Sequence, residues 1–308
     1  MDFREPEPKI NTIKHIVLSG GGNTGFSFYG ILRESNKKGI WSIDNISSIY
    51  ATSIGSFLAV VLCLRYDWDT LDDYFIKRPW QTVFQFDVYS AVRVFQNKGI
   101  FGIKIFEDML GPLLLGKEMT MEITMREFYD KTGIELHFFT TEINRLNSID
   151  ISYKTHPDWK LVQVIYCSSC LPIIFEPWID GDHCYLDGGI LRNYPLNQCI
   201  LDNTEDDIDS IFGIQKNSKP NEKCIDAESS FLDFMMIAFH RVWNRILHDF
   251  EGDRDVEPKY SYVIYEHAVN IQDIIQTATS VDERIRLIQV GHDIVHSEKY
   301  SNEVNEHV

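Results

Sequence analysis

The sequence predicts an α/β fold on a mostly parallel central sheet, and three observations support it. A short apolar strand at residues 15–19 runs into glycines and then into helical spacing at 26–38. A second strand at 46–52 passes at once into an apolar helix at 54–65. Further strand-like runs at 135–142, 210–214 and 260–265 alternate with helical ones. Strands joined through a crossover helix lie parallel, and such units stack helices against the faces of a sheet.

The elements follow in order. In the first helix Phe28, Ile31 and Leu32 fall along one side, and Gly39 can end it. From 66 to 101 the periodicity loosens and aromatics accumulate: Trp68, Tyr74, Phe75, Trp80, Phe84, Phe86, Tyr89 and Phe95. Two compatible readings are the core of an inserted helical region and the lining of an apolar acyl pocket. Helical spacing returns at 103–115 and 161–167, and a short strand at 183–186 leads to Asp187. A long helix at 231–248 and a closing helix at 282–296 complete the chain. With no repeat, low-complexity tract or linker, one domain is expected. It has an N-terminal extension (1–14), a core (15–215) with a helical insertion at about 66–130, and C-terminal elements (216–308) that finish the same domain.

Composition narrows the function. With 44% hydrophobic and 24% charged residues over 308 positions, the chain can bury a sizeable core. A net charge of −17 argues against nucleic acid as a partner, because phosphate binding needs a dense Lys/Arg surface. It also weakens electrostatic docking on anionic lipid. The acidic stretch 202–209 reads as a solvated loop. No run reaches the ~18–20 apolar residues of a membrane span. The polar start Met1-Asp2-Phe3-Arg4 lacks a signal-peptide core, and six cysteines without such a signal suggest reduced thiols, so a cytoplasmic location is expected.

Three segments carry chemistry. Ala51-Thr52-Ser53-Ile54-Gly55 has a serine between strand and helix with small residues two before and two after. That is the nucleophile-elbow arrangement, in which a sharp turn lifts the hydroxyl off the sheet. The competing reading is a helix-capping serine. Gly20-Gly21-Gly22-Asn23-Thr24-Gly25 follows the first strand. Its spacing also matches a dinucleotide turn, but no acidic residue ends the next strand, and no Lys-Ser/Thr follows to make a phosphate loop. Bare glycine amides beside Ser53 are better used as an oxyanion hole. Asp187-Gly188-Gly189 supplies a carboxylate flanked by Leu186 and Ile190, in a setting that raises its pKa, on a turn that two glycines sharpen; alone, the tripeptide is a plain turn.

Together these segments resemble the patatin-like phospholipase family, whose pattern is a Gly-Gly-Gly-x-Arg/Lys-Gly loop, a Gly-x-Ser-x-Gly elbow and an Asp-Gly-Gly/Ala segment in this order. The run Ser168-Ser169-Cys170-Leu171-Pro172 through Asp180-Gly181 to Asp187-Gly188-Gly189-Ile190-Leu191-Arg192-Asn193-Tyr194-Pro195 strengthens the likeness, which spans roughly 16–214. The resemblance implies a three-layer α/β/α fold and a Ser53–Asp187 dyad in place of a triad. It further implies that the Gly21 and Gly22 amides hold the oxyanion, and that the enzyme hydrolyses lipid acyl esters without a required metal or organic cofactor. The expected substrate is a phospholipid or other acyl lipid at a membrane surface.

Two positions depart from the family pattern. Ala51 replaces the first elbow glycine, and Thr24 replaces the Arg or Lys of the glycine loop, removing a positive charge. Arg192 is one candidate to restore that charge; its alternative is an ion-paired surface arginine. The missing charge also leaves open a catalytically weak, lipid-binding or regulatory protein on the same fold. Cys167-x-x-Cys170 with Cys184, Cys199 and His183 lacks the paired spacing of a zinc module. In His292-Asp293-Ile294-Val295-His296, Asp stands where a metalloprotease has its Glu. No metal site is expected from either.

Overall fold

The computed structural model describes residues 12–85, 96–219, 225–229, 231–251, 256–267 and 269–297. The N-terminal extension as far as residue 11 and the aromatics Phe86, Tyr89 and Phe95 lie outside the described residues. The strands are β1 (His15–Leu18), β2 (Ser48–Thr52), β3 (Gly99–Phe101), β4 (Glu135–Glu142), β5 (Asn147–Ile151), β6 (Ile173–Phe175), β7 (Trp178–Asp180), β8 (His183–Asp187), β9 (Ile211–Ser218) and β10 (Tyr260–Glu266). The helices are α1 (Gly25–Lys37), α2 (Ile54–Cys63), α3 (Trp68–Asp72), α4 (Lys104–Leu115), α5 (Met125–Thr132), α6 (Leu161–Ser169), α7 (Leu196–Asp202), α8 (Phe231–Glu251), α9 (Ile271–Thr279) and α10 (Val281–Val295).

The main sheet runs β10-β9-β1-β2-β4-β8-β7, with β5 also paired to β4. From β10 to β4 every pairing is parallel, while β5, β8 and β7 pair antiparallel. The chain leaves β1 toward β2 and later returns to its other side as β9, so strand order reverses at β1. In open sheets a crevice forms at such a point, beyond the carboxyl ends of the strands.

Alternation along the strands builds a core on each face. Ile16, Leu18, Ile49 and Ala51 join the larger cluster with α1 and α2, whereas Val17, Tyr50 and Phe139 pack with Leu196 and Cys199 of α7. The result is a three-layer α/β/α fold. Helix α2 is apolar all round and almost wholly buried, as its sequence requires. Helices α1 and α10 touch backbone to backbone: a Cβ on Gly30 would lie 2.2 Å from the Ile288 carbonyl oxygen.

Elements absent from the sequence reading are the short or edge ones. Strands β5 and β7, the separate β3–β6 pair, and helices α5, α7 and α9 are three to nine residues long, too short to present more than two or three turns or pleats of pattern. The segment between Tyr66 and Gly133 is partly helical, with Phe75 and Trp80 buried among Phe26, Tyr29 and Tyr74. The acidic stretch is more than solvated surface, because Asp206 pairs with Lys14 and with His15 at the start of β1. Among the described residues no helix is long and apolar enough to cross a membrane.

Arg284 of α10 is buried, with 2% of its surface exposed. Its guanidinium donates to the carbonyls of Ile76 (2.8 Å), Thr277 (2.8 Å) and Ala278 (3.1 Å), joining the C-terminal helices to the segment after α3. Arg284→Ala removes these charge-assisted bonds and leaves buried acceptors unpaired. It is expected to lower unfolding free energy by about 3 kcal/mol in urea denaturation. A loss well under ~1 kcal/mol would mean that water replaces the guanidinium at no cost.

Candidate active site

Strand register brings the three sequence motifs to one level. Leu18 pairs with Ala51, Thr52 pairs with Phe139, and Thr140 pairs with Asp187. Ser53, one residue beyond β2, therefore faces the glycine loop on one side and Asp187, across β4, on the other. A Cβ added to Gly20 would lie 3.1 Å from the Ser53 Cβ.

Ser53 caps α2 with φ 55° and ψ −126°, a strained backbone for a residue with a side chain. The strain is held by neighbours. The Ser53 N–H donates to Ser168 Oγ at 2.9 Å, and the Ser168 hydroxyl donates to the Phe139 carbonyl at 2.7 Å. Ser168 also meets Ser56 Oγ at 3.0 Å, so one buried hydroxyl links β4, α2 and α6 at the elbow. Gly55 is needed where it stands, because a Cβ there would lie 2.8 Å from the Ser19 carbonyl oxygen. The methyl of Ala51 is fully buried in the larger core.

Asp187 ends β8 with 6% of its surface exposed. Its Oδ1 accepts the Gly189 N–H at 2.7 Å. Burial pushes its carboxyl up to about 6, opposed by hydrogen bonding from the Ser53 hydroxyl and the Gly189 amide. Gly188 passes under β4: a Cβ there would lie 2.1 Å from the Phe139 carbonyl oxygen.

The glycine loop folds as a 3₁₀ turn, Gly22–Thr24, running straight into α1. Amides at the start of such a helix have no intrahelical acceptor. Gly20 N–H donates to the Asn193 carbonyl at 3.2 Å, and Ser19 Oγ accepts the Lys216 N–H at 2.8 Å, which ties the loop to the aspartate turn and to β9.

A cavity of about 390 Å³ joins these parts. Gly20, Gly21, Gly22, Asn23, Gly25, Ser53, Asp187 and Gly189 all line it. Its apolar wall includes Phe57, Phe75, Trp80, Phe84, Phe106 and Met109, so part of the aromatic segment is lining and part is core. Helix α8 contributes Met236, Phe239, His240 and Trp243, and the Trp243 indole N–H donates to the Ile190 carbonyl just past the aspartate turn.

Sequence reasoning missed Ser168, Asn193 and Lys216. The first two lie in the run that carried the family likeness, but nothing in their spacing marked a role. Thr24 is buried and absent from the lining. Arg192 does not line the cavity either; it donates to Gln198 Oε1 at 3.0 Å and lies over the Phe139 ring. Lys216 does line it, and its Cδ lies 3.5 Å from where a Cβ on Gly21 would stand.

Residues 16–200 match the family described as patatin-like phospholipase. A probable lipid hydrolase, 463L, of Invertebrate iridescent virus 6 is 28% identical over 188 residues, covering 61% of this chain and 63% of the relative. Among solved structures, VipD from Legionella pneumophila superposes with a TM-score of 0.53 at 16% identity, covering 92% of this chain and 66% of that one. Human GIVD cytosolic phospholipase A2 superposes with a TM-score of 0.50 at 10% identity, covering 97% and 60%. The chain spans under two thirds of the length of each, and at these identities the two structures speak to the fold alone.

Gly188→Ala forces a methyl into the β4 backbone. It is expected to lower stability by ~2 kcal/mol or more, while Gly181→Ala, where nothing lies within 4 Å, loses less, by ~1 kcal/mol from its positive φ. Denaturant midpoints of the two variants check this; equal losses would contradict the close approach.

Proposed function

The chain belongs to the patatin-like phospholipase family, and from that premise we propose that it hydrolyses fatty-acyl ester bonds of lipids with a Ser53–Asp187 dyad. The observation that carries the reading is the buried Asp187 carboxyl beside the Ser53 hydroxyl, at the wall of a cavity lined by Phe57, Phe106 and Met109.

The chemistry runs in two halves. Ser53 Oγ attacks the ester carbonyl carbon while the Asp187 carboxylate takes its proton. The Gly21 and Gly22 amides, with the positive end of α2, hold the oxyanion. Collapse expels the alcohol, which leaves with the proton from Asp187 and yields an acyl-enzyme. Water then attacks the acyl carbonyl, Asp187 again takes and returns a proton, and Ser53 is restored as the fatty acid leaves. The apolar cavity holds the acyl chain and keeps the carboxylate in the low-dielectric setting that makes it a usable base. Substrate is drawn from a membrane surface, since acyl chains this apolar are not free in water.

Release of fatty acid from phospholipid vesicles tests the proposal. Ser53→Ala and Asp187→Asn are each expected to lower the rate roughly 10²–10⁴-fold. Rates close to the parent's in either variant would remove that residue from the dyad. Asp187 must be ionised to accept a proton, so kcat/KM is expected to fall as pH drops through about 6. An acid limb near ~4, the ordinary carboxylate range, would contradict a buried base.

Lys216, whose charge also acts on Asp273, is the cation of the cavity lining best placed to make up for the charge that Thr24 lacks. Set beside Gly21, it suits the phosphate of a phospholipid better than a neutral ester. Lys216→Met is expected to lower kcat/KM roughly tenfold on phospholipid and little on triacylglycerol. An equal loss on both substrates would count against headgroup recognition.

A further inference from the structure

The two histidines of the 292–296 run gain a third partner from another helix. Glu34 of α1 points its Oε2 at both, 3.9 Å from His292 Nε2 and 3.7 Å from His296 Nε2. The three ligand atoms all lie within 4.8 Å of one another. These separations are too long for hydrogen bonds, which want ~2.7–3.2 Å. They suit an ion between them. Ligand atoms ~2.0–2.2 Å from a tetrahedral zinc-class ion stand roughly 3.4 Å apart, so the Glu34 contacts to both histidines need to close by only a few tenths of an ångström.

We infer that Glu34, His292 and His296 form a binding site for one divalent transition-metal ion of the zinc class, with its remaining position open to water. The surroundings are built for it. Glu34 is largely buried, and its other oxygen is held by Arg33 Nε at 3.0 Å. Lys37 stands 3.8 Å from that same oxygen, not from the one facing the histidines. His292 Nδ1 lies 3.1 Å from Asp293 Oδ1, and Gln289 steadies that carboxylate at 2.7 Å. The Gln289 amide nitrogen lies at the same 3.1 Å from Nδ1; with the ring proton on Nδ1 and donated to Asp293, the Nε2 lone pair faces Glu34, the usual outer-shell support for a metal-ligating imidazole. The two imidazoles stack at 4.3 Å, so both rings present an edge in one direction.

Helix packing makes the geometry rigid. A Cβ on Gly291 would lie 2.1 Å from the Ser27 carbonyl oxygen, one position before His292. Lys38 Nζ donates to the Val295 carbonyl at 3.0 Å beyond it. Two imidazoles and one carboxylate select zinc, cobalt or nickel over calcium and magnesium, which want oxygen ligands throughout. An ion held here ties α10 to α1, the helix that leaves the glycine loop, and its role is structural. The third ligand, Glu34, comes from a different helix, which no spacing within the 292–296 run could mark.

The full-length protein, stripped with a chelator, is titrated with Zn²⁺ by calorimetry and with Co²⁺ by visible absorption. The expected result is one equivalent bound, four-coordinate Co²⁺ bands, and a Tm that rises with Zn²⁺. His296→Gln, His292→Gln and Glu34→Gln are each expected to weaken binding at least tenfold while keeping the parent far-UV spectrum and fatty-acid release. His296 is 43% exposed at its side chain, so that variant tests the site without disturbing buried packing. No binding by the parent at tens of micromolar ion overturns the inference. So does parent-like affinity in the histidine variants, which would put the ion on cysteines or elsewhere.

Discussion

Everything at the centre of this protein depends on the pairing of β4 with its neighbours. β4 takes Thr52 beside Phe139 on one edge and Asp187 beside Thr140 on the other. A one-residue slip on either edge would turn the site residues to the wrong face of the sheet. The register is guarded from both sides. Gly188 lets the aspartate turn press on the Phe139 carbonyl, and the Ser168 hydroxyl donates to that same carbonyl while accepting the Ser53 N–H. One peptide group of β4 is thus a shared anchor for the elbow and the aspartate turn.

The arrangement works against stability locally. Ser53 stands in a backbone region that L-residues avoid, at a cost of about 1–3 kcal/mol. Asp187 is driven up to about 6 from an ordinary carboxylate value of 3.8. The folded state therefore holds that proton more tightly than the unfolded state does. The penalty is absent below ~4, grows as pH rises through about 6, and reaches on the order of 3 kcal/mol at neutrality. The surrounding fold carries this load: α2 is buried along its length, two cores sandwich the sheet, and Arg284 binds the C-terminal helices to the segment after α3. Strain at the elbow and desolvation at the aspartate turn, on either side of β4, are what the proposed nucleophile and base require.

What could be read from the sequence was what is local. The two strand–turn–helix units, the glycine loop in the first and the serine in the second, are contiguous signals, and the helix bounds differ from expectation by a few residues, as α2 (Ile54–Cys63) does. The aspartate was legible through its glycines and the family run around it. Contacts between distant segments were not. Lys216 lies on β9, far along the chain from Gly21, and no periodicity links them. Arg192 looked well placed by its nearness to Asp187 in sequence, yet its side chain turns to Gln198 and Phe139. Glu34 and the C-terminal histidines show the same limit, because two helices must pack before their side chains converge. Short edge strands such as β7 are set by their partners more than by their own residues, which is why alternation did not mark them.

In the proposed mechanism the side-chain oxygen of Ser53 is activated by the carboxylate across β4. Reaction with a fluorophosphonate, followed by peptide mapping of the modified residue, tests it most directly. The account predicts one adduct, on Ser53, formed by the parent protein and lost in Asp187→Asn. No adduct, an adduct on another residue, or undiminished labelling without the Asp187 carboxylate would contradict it.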